Sequence, residues 1–95
     1  MLRLQRARLV KHASKTTLSA VETFLNELRA VPGLVERTPG SFYLKSRAYL
    51  HFHDDPEGIF ADVKLDHVSF ERFPVTTRTA QRHLLQRIVA SLAQS

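Results

Sequence analysis

Hydrophobic positions first recur at helical spacing. Leu18, Val21, Leu25 and Leu28 fall three and four apart, and Phe24 widens the stripe, so residues 16–31 predict an amphipathic helix with one buried face. Ser19 and Glu22 have the S-x-x-E spacing of a capping box, with Thr16 or Thr17 as alternative caps, and Pro32-Gly33 stops the helix. A second helix follows Thr76 or Thr77. Ala80, Leu84, Ile88 and Leu92 step by four along one side with Leu85 and Val89 beside them, while Arg78, Arg82 and Arg87 point elsewhere.

Between these helices the period changes to two. LVERTPGSFYL predicts two short strands around a Pro39-Gly40 turn, because Pro presets φ at the first corner and Gly accepts the positive φ of the second. Asp55-Pro56-Glu57-Gly58 suits a type I turn, so residues 42–66 predict a β-hairpin closed there. That register sets Leu50 against Val63, Phe52 against Ala61 and Ala48 against Leu65 on an apolar face. The opposite face would pair His51 with Asp62, Tyr49 with Lys64 and Arg47 with Asp66. A slip of one residue would exchange the two faces, so side-chain chemistry selects this register. VSFERFPV predicts a further strand at a sheet edge, since Pro74 has no N–H to donate.

The resulting expectation is an α+β two-layer sandwich: a mainly antiparallel four-stranded sheet with an N-terminal and a C-terminal helix on one face. The 95 residues suffice for one domain, assigned to residues 16–95, behind a basic tail at 1–15. No stretch approaches the roughly 20 apolar residues of a membrane-spanning helix. With no cysteine, disulfides, thiolate metal sites and cysteine nucleophiles are excluded, which fits a cytoplasmic protein.

Net charge of +5 suggests nucleic acid until it is located. Arg3, Arg6, Arg8, Lys11 and Lys15 precede the first acid, Glu22, and the remaining nine basic residues are balanced by nine acids. The excess belongs to the tail, which reads as a solvated arm, a surface for phosphates or anionic lipid, or a targeting segment lacking a secretory apolar core.

The residues best suited to chemistry are His51 and His53, which project from one strand face, with Asp62 opposite. Two imidazoles and a carboxylate are the composition of a facial triad for a divalent metal. The competing reading is a cross-strand His51–Asp62 hydrogen bond of structural value only. Tyr43, Lys45, Arg47, Tyr49 and His51 alternate along the same face, an aromatic and basic interleaving that also occurs on single-strand nucleic-acid platforms. No P-loop, G-x-G-x-x-G, H-E-x-x-H or nucleophile-elbow motif is present.

SFYLKSRAYLHFHDDPEGIFADVKL resembles small bacterial proteins labelled luciferase-family or luciferase-domain proteins. The likeness lies in the Ser-Arg-Ala tract leading to His51-Phe52-His53, an acid at Asp54 or Asp55, and the Ala61-Asp62-Val63 strand. It extends over about residues 18–93 and implies a compact α+β domain, without supplying catalytic residues. The functional expectation is therefore a module that binds a small ligand or a protein through the polar sheet face, using Arg47, Tyr49, His51, His53 and Asp62. The alternatives are a metal-dependent enzyme with His51, His53 and Asp62 as ligands, and nucleic-acid binding through the tail. No cofactor beyond a divalent metal is expected, and the edge at residues 68–75 offers a pairing surface for a homodimer.

Overall fold

The computed structural model describes residues 13–94. It is an α+β fold with a five-stranded antiparallel sheet in simple meander order, β1 to β5. The strands are β1 (Leu34–Thr38), β2 (Ser41–Leu44), β3 (Arg47–Asp55), β4 (Gly58–Val63) and β5 (Glu71–Pro74). Three helices accompany them: α1 (Lys15–Ala20), α2 (Glu22–Arg29) and α3 (Arg78–Ala93). No helix among the described residues is long and apolar enough to cross a membrane.

The hairpin register expected from the turn is the one formed. Leu50 pairs with Val63, His51 with Asp62, Phe52 with Ala61, and the ladder closes at Asp55–Gly58. Asp55 Oδ1 accepts from the Glu57 amide at 2.9 Å, the local bond that makes Asp effective at the head of a turn. Gly58 has φ 142°, and a Cβ there would lie 2.5 Å from Thr76 Oγ1, which itself accepts from the Ile59 amide.

Five strands form where four were expected, because the chain reverses at Lys45-Ser46 instead of running straight from residue 42 into the hairpin. Both residues take positive φ, 52° and 72°, the geometry of a tight two-residue hairpin loop. A bulge follows immediately. Between the pairs Phe42–Leu50 and Tyr43–Ala48, β3 advances two residues while β2 advances one, leaving Tyr49 as the extra residue. The bulge reverses the facing of the start of β3. Tyr49, expected on the polar face, is buried, and Ala48, expected to pack opposite Leu65, is exposed. Neither the Ala48–Leu65 nor the Arg47–Asp66 pair forms; the ladder proper ends at Leu50–Val63, extended only by the Lys64 amide donating to the Tyr49 carbonyl.

The N-terminal helical segment is also divided. Val21, at φ −112° and ψ 25°, separates α1 from α2. The cap is Ser14, whose hydroxyl accepts from the Thr17 amide, so the S-x-x-E box at Ser19 and Glu22 is not used. Residues just ahead of α1 already contact the sheet. Ala13 donates its amide to the Phe52 carbonyl, the Ser14 amide donates to Asp54 Oδ2, and Thr17 Oγ1 donates to Asp54 Oδ1. Thr77 caps α3 by accepting from the Ala80 amide.

All helices pack on one sheet face. Val21 at the junction of α1 and α2, Phe24, Leu25 and Leu28 from α2, Leu84 and Ile88 from α3, and Phe42, Leu50, Phe52, Ala61 and Val63 from the sheet form a single core. Phe24 and Phe52 meet edge to face with centroids 5.9 Å apart. The helical pattern missed Gln81, which is buried in the α3 stripe and donates from Nε2 to the Val75 carbonyl at 2.9 Å. Arg29 ties α2 to β1 through Glu36, at 2.6 Å from Nε to Oε1, and Glu36 Oε2 also accepts from the Gly40 amide.

Two outcomes follow from these contacts. Gly58→Ala should lower unfolding free energy by about 1–3 kcal/mol in urea denaturation, because the added methyl meets Thr76 in a backbone conformation that side chains rarely adopt. The bond from Arg29 outweighs the opposing effect of burial and, helped by the Gly40 amide, holds the Glu36 carboxyl below its ordinary value of 4.5. A depressed carboxylate stabilises the fold at pH above its unfolded value and loses that contribution as pH falls through the folded one. Stability should therefore fall on acidification below 4.5, and Glu36→Gln should lower stability at pH 7 while flattening this acid limb.

Candidate functional site

The helices leave the other sheet face uncovered, and its chemistry is concentrated at the centre. Alternation along β3 turns His51 and His53 outward, and alternation along β4 does the same for Asp62. One nitrogen from each imidazole and one Asp62 oxygen lie within 4.8 Å of one another. His51 Nδ1 and His53 Nε2 are sealed from solvent although the face itself is open.

The expected His51–Asp62 hydrogen bond is replaced by a diagonal contact. His51 and Asp62 are backbone partners, but Asp62 Oδ2 lies 2.7 Å from His53 Nε2. Its other oxygen, Oδ1, accepts from Arg72 Nε at 2.9 Å, with Arg72 Nη2 3.3 Å from Oδ2. Asp62 and His53 side chains are 14 % and 15 % exposed, against 51 % for Arg72, so a shielded carboxylate is held by a cation reaching in from the rim. Burial alone would push the Asp62 carboxyl up; the Arg72 hydrogen bond and the charges of His53 and Arg72 outweigh it and hold the carboxyl below its ordinary value.

The loop between β4 and β5 completes the cluster. Asp66 Oδ1 accepts from the amides of Val68 and Ser69, which folds the loop back. Phe70 then stacks on His51 with centroids 4.7 Å apart and planes 20° from parallel, and Lys64 Nζ lies 4.9 Å above the same Phe70 ring. His51 and His53 meet edge to face at 4.9 Å. Phe70 and Arg72 were not among the candidates. Arg72 opposes Asp62 directly in the β4–β5 ladder, but no tight turn joins those strands, so nothing local fixed their register.

The candidates therefore fall into separate groups. His51, His53 and Asp62 come together. Tyr49 lies on the helix side, where its hydroxyl donates to Ser91 Oγ at 3.1 Å, and Arg47 stands exposed beside the Lys45-Ser46 turn. The alternating row from Tyr43 to His51 is thereby broken and presents no continuous aromatic and basic platform. Of the tail residues, Arg3, Arg6, Arg8 and Lys11 lie outside the described residues, and Lys15 is the first residue of α1.

Ligand chemistry is consistent with a metal on the His51 cluster. Ligands about 2.0–2.2 Å from a common ion stand roughly 3–3.5 Å apart when adjacent, close to the present Asp62–His53 separation. Arg72 spans both oxygens of Asp62 and so orients the carboxylate, whose Oδ2 also faces His53. Compared with known proteins, the chain matches no family model, no curated protein and no solved structure.

Proposed function

We propose that this domain is a small-ligand-binding module whose outer sheet face takes up a divalent transition-metal ion through His51, His53 and Asp62. The observation that carries the reading is the convergence of the three side chains, with one ligand atom from each within 4.8 Å of one another and Asp62 Oδ2 2.7 Å from His53 Nε2. Two imidazoles and one carboxylate favour zinc, nickel, copper or iron over magnesium or calcium, which prefer oxygen alone. Three protein ligands leave coordination positions for water or a small oxygen or nitrogen ligand, and the face is open on that side. Phe70 limits ring motion of His51, so less order has to be imposed on binding. The resemblance of residues 18–93 to luciferase-family proteins implies only a compact α+β domain and adds no site residue.

The test is a zinc titration of the full chain followed by calorimetry and dialysis, with cobalt absorption as a second probe. One equivalent should bind, and zinc at a hundredfold excess over Kd should stabilise the fold by about 2.7 kcal/mol. His51→Ala and His53→Ala should each abolish stoichiometric uptake, and uptake should weaken with acidification because both imidazoles must be deprotonated to ligate. Absence of stoichiometric metal, or uptake unchanged in both variants, would overturn the proposal.

A further inference from the structure

The bulge places Arg47 and Tyr49 at one end of the sheet, away from the histidine cluster. A cleft of about 340 Å³ opens there between the β2–β3 turn and the β4–β5 loop. Leu44, Ala48 and Tyr49 line it together with the basic or ionisable residues Lys45, Arg47, Lys64 and His67. No acidic residue lines it. Asp66, adjacent to His67, has its carboxylate committed to the amides of Val68 and Ser69. Among the described residues, Lys45 and Arg47 make neither an ion pair nor a side-chain hydrogen bond.

Backbone geometry supplies an independent observation. The described chain has three non-glycine residues at positive φ, namely Lys45 at 52°, Ser46 at 72° and His67 at 67°, and they occupy the two loops bordering this cleft. A two-residue hairpin loop with positive φ at both positions favours Asn-Gly, which adopts it cheaply. Here Lys-Ser stands instead, so a local preference has been given up in favour of a cation at the cleft mouth. Strained backbone of this kind clusters at active sites and ligand clamps. The wall is also fixed in place: Tyr49 donates to Ser91 Oγ, Ser91 Oγ donates to the Leu65 carbonyl, and His67 Nε2 lies 3.2 Å from the Ser91 carbonyl oxygen.

We infer that this cleft binds a small organic anion, a carboxylate or phosphate carried on an apolar body of about one ring. The volume lies at the lower end of small-molecule sites. Lys45 and Arg47 supply charge-assisted hydrogen bonds to the head group, and Leu44, Ala48 and Tyr49 receive the apolar part. The inference does not rest on the metal reading, since none of the three proposed metal ligands lines the cleft.

The experiment is an amide-resolved NMR titration of the full chain with benzoate, phenyl phosphate, inorganic phosphate and benzylamine. Saturable shifts are expected for amides in residues 44–49 and 64–67 with benzoate or phenyl phosphate, and whichever binds more tightly identifies the head group. Inorganic phosphate should bind about tenfold more weakly, and benzylamine not at all. Silence from both aromatic anions would overturn the inference, as would equal binding of benzylamine. Inorganic phosphate binding as tightly as phenyl phosphate would remove the apolar half of it. Arg47→Gln should weaken binding about tenfold. The double variant Lys45→Asn with Ser46→Gly should raise Tm by relieving the turn while also weakening binding, which separates ligand contact from folding. Undiminished binding in both variants would refute the site.

Discussion

The alignment of β3 on β4 is the constraint from which the remainder of the structure follows. Six consecutive pairs from Leu50–Val63 to Asp55–Gly58 place Leu50, Phe52, Ala61 and Val63 under the helices and His51, His53 and Asp62 on the open face. Displacement of β3 by one residue would turn His51 and His53 inward and expose Leu50 and Phe52, at a cost comparable to the roughly 5–15 kcal/mol that holds a domain together. The turn at Asp55–Gly58 starts the count, and apolar burial enforces it along the strands.

The bulge at Tyr49 is the point where this alternation is deliberately interrupted. Without it, Tyr49 would face outward with His51 and Ala48 would fill the core. With it, a large ring is added to the buried face, and its hydroxyl is satisfied by Ser91 on α3, so the polar atom costs little. The same residue thereby joins sheet, helix and the β4–β5 loop, because Ser91 also donates to Leu65 and contacts His67. One inserted residue in the β3 strand separates two chemically distinct regions, the histidine cluster at the centre of the open face and the cationic cleft at its end.

The β4–β5 loop is what turns three side chains on an exposed sheet into a shielded cluster. Asp66 bends it, Phe70 covers His51, and Arg72 enters from β5 to neutralise Asp62. Asp62 is thus a carboxylate held at both oxygens by Arg72, with one of them also turned toward an imidazole. On an open antiparallel sheet, where one face normally stays wet, such partial cover lets charged groups remain hydrated at the rim while their inner atoms exchange water for one another.

By itself the sequence determined the elements whose rules are local. The Asp-Pro-Glu-Gly turn, the alternation on either side of it, the helical stripes and the edge position forced by Pro74 each follow from a few adjacent residues, and together they located His51, His53 and Asp62 on one face. The tertiary structure decided what depends on partners far along the chain. Whether Asp62 would answer to His51 or to His53 and Arg72, whether Tyr49 would face water or Ser91, and whether Phe70 would cover a histidine were settled by the packing of β5, α3 and the loop between them. Those choices compare the burial of a ring or the pairing of a charge across tens of residues, a competition that spacing and propensity within one segment do not encode.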